Sequence, residues 1–323
     1  MKPFSFCLRR LLPAAGLLLT VSCSRQLTSL PTIEPQVVKS ADVLADSIYF
    51  SEITAMKYHD NRIYACCMGQ SQILCMDNDF GLLHIIGHKG RAASELMNPS
   101  SFDMDGDTIA VLCYGAFKRY TVNGEFVGSS DIGPMLPNKD FAWSDGCYYY
   151  TSSRQGPVIS LSEEGTSRSF GAYYPFESEE ATRCRNARFT RVFGDRIITV
   201  SDNLPYIEIF DRRTLASVRK VDYSNVALVA EIMRNNASEQ LAANQYRALV
   251  SGCDVADGKL YVLLADNLDG FCANKIIVFD LERDCRPLSI VQLPGARYFS
   301  FCVNGKTLYA FNLRENTLEK MTL

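Results

Sequence analysis

Histidine is nearly absent from this chain. Only His59, His84 and His88 occur in 323 residues. His84 and His88 are four apart, a spacing that places two ligands on one helical face. "LHIIGHKG" reads instead as a strand end and a turn, so metal ligation by histidine has little footing. C-x-x-C pairs are missing as well. Positive charge is not in excess: 33 Lys and Arg stand against 36 Asp and Glu, for a net charge of −3. That balance leaves nothing to neutralise a phosphate backbone and argues against a nucleic-acid partner. There is no G-x-S-x-G nucleophile elbow and no G-x-x-x-x-G-K-[ST] phosphate cradle. No catalytic set and no cofactor motif can be placed. Beyond the first two dozen residues, no apolar run approaches the roughly 20 residues of a membrane-spanning helix.

What is present begins with a targeting segment. Lys2, Arg9 and Arg10 precede the apolar run "LLPAAGLLLTV", which is followed by "SCS". The run is too short to span a bilayer and is set aside from the fold. "LLTVSC" resembles a bacterial lipoprotein signal, with Ser22 before Cys23 and a relaxed pattern at Thr20 and Val21. That resemblance implies cleavage after residue 22, acylation of Cys23 and attachment to a bilayer without crossing it. An ordinary secretory signal with an incidental cysteine is the other reading. The stretch after Cys23, "SRQLTSL", has no acidic residue. By resemblance to exported lipoproteins of Bacteroidetes, this implies the cell envelope, at the outer membrane and facing the periplasm.

The mature chain repeats one phrase. "DNRIYACCMGQ", "DGDTIAVLCYG", "DGCYYYTSSRQ", "GDRIITVSDNL", "DGKLYVLLADN" and "NGKTLYAFNLR" each set a tight turn before a β-branched and aromatic run. Asp, Asn and Gly supply the positive φ angles of two-residue hairpins. The Tyr, Ile and Val runs suit a pleated surface. A polar loop, a third run, a second turn and a short fourth run complete each unit. Six units, mostly about 40 to 50 residues apart, predict an all-β fold, a six-bladed β-propeller of four-stranded antiparallel blades. The long gap between the fourth and fifth units, "NVALVAEIMRNNASEQLAANQYRALV", reads as one or two helices inserted at about 225–248. The last unit ends after three strands, and a strand candidate at Gln36–Lys39 could complete it. The domain reading is therefore 1–22 signal, 23–35 linker and 36–323 propeller.

With the lipoprotein signal, the six blades and the linker "GHKGRAASELMNPSSFDMDGD" in view, the chain resembles the six-bladed TolB-like or NHL-like propeller lipoproteins of Bacteroidetes. The linker matches that family at Gly87, Gly90, Glu95, Leu96 and Pro99, and departs from it at "RAAS". The resemblance implies a fold and an address, and little chemistry.

Ten cysteines remain besides Cys7 and Cys23. An exported protein could pair them, with Cys272 and Cys285 as the best candidates. The competing reading makes most of them small buried residues in strands. The acidic clusters Asp103, Asp105 and Asp107, and Asp266 and Asp269, invite a Ca²⁺ reading. They lack the glycine position and the closing Glu of an EF-hand loop, and turn chemistry accounts for the first.

In a propeller, the loops that lead into the innermost strands gather at one channel mouth. Here those loops carry Arg91, Lys139, Arg188, Arg247 and Arg297, with Tyr246 and Tyr298. Converging, they would make a basic, aromatic pocket for an anion; diverging, they would point to solvent. Two functions follow. One is a lipid-anchored, monomeric binding or interaction propeller whose partner is an unidentified protein, peptide or glycan, with no cofactor and no catalysis. The alternative is a metal-dependent hydrolase or lyase using the axial channel.

Overall fold

The computed structural model describes residues 26–44, 48–49, 51–132, 140–152, 157–238, 241–242, 245–266, 268 and 270–323. Six antiparallel sheets follow one another in the chain, at 53–86, 99–131, 141–170, 188–222, 250–292 and 298–322. Their first strands are Ile53–His59, Pro99–Asp105, Phe141–Ser144, Arg188–Phe193, Val250–Ala256 and Tyr298–Asn304. Each of these touches the first strands of both neighbouring sheets, and the sixth touches the first, so they close a ring about an axis. The fold is a six-bladed propeller.

The six phrases of the sequence are the hairpins that join each innermost strand to the second. Both central residues take positive φ at Asp60–Asn61, Asp145–Gly146 and Asp257–Gly258, as a turn matched to the right-handed strand twist requires. A blade has two apolar faces and cannot bury them alone. The buried residues accordingly fall into six clusters, one per junction between neighbouring blades. Between blades 2 and 3 the cluster is an aromatic stack: Phe117 lies over Tyr148 with ring centroids 4.0 Å apart, and Phe141 and Trp143 flank the pair.

The ring is closed by the start of the chain. Gln36–Ala41 pairs antiparallel with Thr317–Thr322 and becomes the outermost strand of blade 6. Without it that blade would end in an unpaired, sticky edge. The stitching extends further upstream than the sequence suggests. Thr32–Ile33 adds a parallel fifth strand to blade 5. Thr28 accepts from the amide of Ala227 at 2.9 Å and donates its own amide to Asn225 O at 2.7 Å. The helix Ala227–Ala237 has Val226 as its N-cap, which offers no side-chain oxygen. The Thr28 carbonyl takes over part of that role, satisfying an amide at the helix start.

That helix is the insertion between blades 4 and 5. Val229 and Ile232 are buried in the cluster between those blades, which fixes the helix to the core. Beyond it, residues 241–242 and 245–249 are not helical. A second, shorter helix, Glu179–Cys184, precedes blade 4 and is capped by Ser178, whose hydroxyl accepts from Ala181 N at 3.1 Å.

The family-like linker is a structural clasp. Leu96 is fully buried between blades 1 and 2, and its carbonyl accepts from Gly90 N at 3.0 Å. Gly87 has φ +73°, and a Cβ there would sit 2.5 Å from the Leu96 side chain. Glu95 turns back to accept from Ala92 N at 2.7 Å.

No disulfide joins the ten cysteines from Cys66 to Cys302. Cys272 begins the strand Cys272–Asp280, and Cys285 follows its far end. Eight residues at about 3.3 Å each put them roughly 26 Å apart, beyond any bridge. Burial pushes the thiols of Cys66, Cys253 and Cys285 up to about 12, so they resist reaction. In a chain starting at Ser24, a thiol reagent is expected to modify Cys147, Cys184 and Cys272, the partly exposed ones, within minutes. The other seven should react only on unfolding. Fast modification of Cys66 or Cys302, mapped by mass spectrometry, would contradict this packing.

Candidate functional site at the channel mouth

A ring of polar side chains circles the axis at mid-depth. Lys57 of blade 1 pairs with Asp103 of blade 2 at 2.9 Å. Asp103 also accepts from Trp143 N of blade 3 at 2.9 Å. Asp140, just before the inner strand of blade 3, accepts from Thr190 N of blade 4 at 3.0 Å and pairs with Arg191. Arg191 donates from Nε to Cys253 O of blade 5 at 3.0 Å. Asp254 accepts from Val303 N of blade 6 at 3.0 Å. Ser300 Oγ donates to Ile53 O of blade 1 at 2.7 Å, and the circuit is complete.

The electrostatics of this belt are uneven. For Arg191, burial opposes the charge, but the surrounding carboxylates, Asp140 foremost, outweigh it and hold the guanidinium more firmly protonated than usual. Asp254 is the reverse case. Burial raises its carboxyl above the ordinary aspartate range, and the opposing pull of Lys57, Arg191 and the Val303 amide does not cancel it. No cation bonds it directly among the described residues. Three carboxyl groups face two cations, so with all of them ionised the waist has a formal charge of −1.

On the side where chain enters the inner strands, the channel opens into a cavity of about 440 Å³. Phe102, Phe189, Phe301, Met56 and Met68 form apolar wall, with Ser100, Ser101 and Thr54 among them. At its lip stand Phe271 and Phe299, respectively 47% and 43% exposed. The Arg297 guanidinium lies over the Phe271 ring at 4.8 Å and makes no ion pair or side-chain hydrogen bond among the described residues. A second cavity of about 220 Å³ lies at the opposite end. The two share Lys57 and Arg191, so the belt is the floor between them.

Of the residues expected at the mouth, the structure brings two together there, Arg297 and Tyr298. Tyr298 contributes ring only. Its hydroxyl is buried, donating to Glu319 at 2.7 Å and accepting from Gly295 N at 3.0 Å. Arg188 does not reach the channel: it is wholly buried, pairs with Glu208, donates to Ala172 O at 2.6 Å and stacks on Tyr174 at 4.5 Å. Arg91 is exposed beside Lys118 and Tyr114, near blade 2. Tyr246 hydrogen-bonds to Asp202, and burial with that carboxylate raises its hydroxyl. Arg247 is exposed and is not among the cavity residues. Lys139 and Cys23 lie outside the described residues. The convergence fails for Arg188, Arg91 and Tyr246 because side chains alternate along a strand and a loop position alone does not fix direction.

The acidic clusters behave as turn and belt residues. Asp103 belongs to the belt, Asp105 accepts from Asp145 N at 2.6 Å, and Asp266 holds Lys275 at 2.7 Å; Asp269 lies outside the described residues. Among the described residues, no three of His, Cys, Asp and Glu are grouped as a metal site. His84 Nε2 meets Val122 O at 2.7 Å, and His88 lies 3.3 Å from Glu95.

No family model matches the chain, and no curated protein sequence does either. Solved structures do match. A Bacteroides fragilis protein assigned as exported shares 13% identity at TM-score 0.58, with 88% of each chain covered. A DUF4221 family member from Bacteroides vulgatus shares 13% at TM-score 0.56, covering 89% of this chain and 97% of that one. Hydrazine synthase of Kuenenia stuttgartiensis shares 9% at TM-score 0.51, covering 86% of this chain and 98% of that one. At such identities what is shared is the fold.

Two outcomes test these placements, one at the buried Arg188–Glu208 pair and one at the belt. Glu208→Ala strands a buried guanidinium and should cost about 3–5 kcal/mol in urea unfolding, whereas Arg188→Met with Glu208→Leu should recover most of it. A carboxyl whose folded pKa exceeds its unfolded value stabilises the fold below the unfolded pKa, about 3.9, and that contribution is lost as pH rises through the folded pKa. Asp254→Asn keeps an acceptor for Val303 N and removes the slope. The stability of wild type relative to D254N should therefore fall as pH rises from about 4; a difference flat in pH would show Asp254 titrating normally.

Proposed function

We propose that this chain is an exported, lipid-anchored propeller that binds a ligand at its channel mouth and acts as a binding module. The observation that carries the reading is the open mouth cavity, with two exposed phenylalanines at its lip and an arginine that has no ion pair among the described residues. Apolar side chains left exposed in a concave site gain by burial against a partner. The address rests on the apolar leader and Cys23, with acylation giving a bilayer attachment. A periplasm-facing position at the outer membrane follows from "SRQLTSL" and its lack of acid. Two Bacteroides proteins with the same fold, one assigned as exported, support export. The clasp at Gly87, Gly90, Glu95, Leu96 and Pro99 supports membership of the TolB-like lipoprotein group. No helix among the described residues is long and apolar enough to cross a membrane.

Anchorage would also orient the molecule. Thr28 is fixed beside the insertion helix, and five Cα–Cα steps separate it from Cys23. At no more than about 3.6 Å each, they keep that rim within about 18 Å of the acylated residue.

The test is native purification in mild detergent. The wild-type protein should fractionate with membranes, and a form whose leader is exchanged for an ordinary cleavable secretory signal, with Ser24 as its first mature residue, should be released. Ligand that copurifies with wild type should be lost from the triple variant Phe271→Ala, Phe299→Ala, Arg297→Ala, while the control Arg314→Ala retains it. Identical copurification by wild type and triple variant would overturn a mouth site.

A further inference from the structure

The chemistry of the mouth narrows what it holds. The cavity volume falls in the range of sites for single small molecules, about 300–1,000 Å³, and is small for a protein segment. Phenylalanine and methionine supply its largest apolar side chains, surfaces that favour a flat or flexible apolar body. The lip supplies one cation. Arg297 is already stacked on Phe271, so its planar fork is held in place before a ligand arrives, which lowers the ordering cost of binding. The other cations of the cavity, Lys57 and Arg191, are committed to Asp103 and Asp140.

Charge sets the direction of entry. The floor carries Asp103, Asp140 and Asp254 against Lys57 and Arg191, a waist of formal charge −1 with all of them ionised. An anionic group is repelled from the depth of the channel and attracted to the lip. Among the described residues Arg297 is the one cavity guanidinium without a carboxylate partner; it matches one negative charge and can pair bidentately with a carboxylate. A phosphate dianion would keep a second charge uncompensated.

Resting on the mouth-binding reading above, we propose that the cavity takes a small monocarboxylate with a ring-bearing apolar body, seated apolar end inward with its carboxylate on Arg297. Phe271 and Phe299 close over the body from the lip.

The proposal is tested by calorimetric titration of the chain starting at Ser24, which keeps every strand of the propeller, lacks the apolar leader and the lipid, and needs no detergent. The probes are 4-phenylbutyrate, 4-phenylbutan-1-ol and 4-phenylbutyl phosphate, with the naphthyl and indolyl butyrates as alternative bodies. At least one carboxylate should bind at one per chain, about tenfold or more tighter than the matching alcohol and tighter than the phosphate. Arg297→Ala should bring the carboxylate down to the alcohol's affinity and leave the alcohol unchanged. Phe271→Ala and Phe299→Ala should weaken both, with unaltered urea unfolding because both side chains are exposed. Absence of saturable binding by every carboxylate overturns the proposal. So does preference for the phosphate, or a carboxylate preference that survives in R297A. If the copurifying ligand still depends on the lip residues while these outcomes are seen, the mouth-binding reading stands and the monocarboxylate assignment falls.

Discussion

The innermost strand of a propeller blade is hydrogen-bonded along one side only. Its other side faces the axis and the next blade, where an unmet amide is costly. In this chain side chains reach across from one blade to the next to meet that need. Asp103 serves Trp143, Asp140 serves Thr190 and Asp254 serves Val303. The same carboxylates then require neutralisation in a half-buried place, which Lys57 and Arg191 provide. The apolar junctions stabilise each pair of neighbouring blades. The polar circuit also fixes their registry about the axis, because a carboxylate pairs with one particular amide of the next blade.

Most of the architecture was legible because it follows from local rules. Positive-φ turn residues, β-branched runs and their spacing announce six hairpins, and a short last unit announces closure by the N-terminal strand. The short helix Glu179–Cys184 and the two-residue strand Thr32–Ile33 went unread; the first has only Ser178 and two acids as its signal, and the second makes too few bonds to leave a pattern. The belt, by contrast, did leave one. Lys57, Asp103, Arg191 and Asp254 each stand three residues before the inner hairpin turn of their blade, at positions 60, 106, 194 and 257. A charge recurring at one place within an apolar strand marks the channel. The mouth residues were harder to read. Sequence order tells which connection a loop cation occupies, while its direction depends on packing. Arg188 is the clearest instance, drawn inward by Glu208 and the Ala172 carbonyl.

The N-terminal segment joins the fold to the proposed address. Thr28, Thr32–Ile33 and Gln36–Ala41 fasten in turn to the insertion, to blade 5 and to blade 6. Force on a membrane anchor would thus be shared among three sites rather than borne by the closing strand alone. The same segment caps the insertion helix, whose apolar face fills the junction between blades 4 and 5. The insertion is therefore part of the framework that holds Val250 and Cys253 at the cavity wall.

The belt has a repeat within it. Three residues before the turn, blades 1 to 3 carry Lys57, Asp103 and Ala142, and blades 4 to 6 carry Arg191, Asp254 and Phe301: a cation, an acid and an apolar residue, twice over. In the first half the cation and acid bond directly. In the second they do not, because Asp140, an additional carboxylate outside the pattern, captures Arg191. Asp254 is left with a backbone amide and more distant charges, and burial raises its carboxyl. Burial thus accounts for the raised carboxyl of Asp254, and one supernumerary acid for the surplus of carboxyls over cations at the channel floor. Above that floor, Arg297 at the lip is the cavity cation that has no carboxylate partner among the described residues.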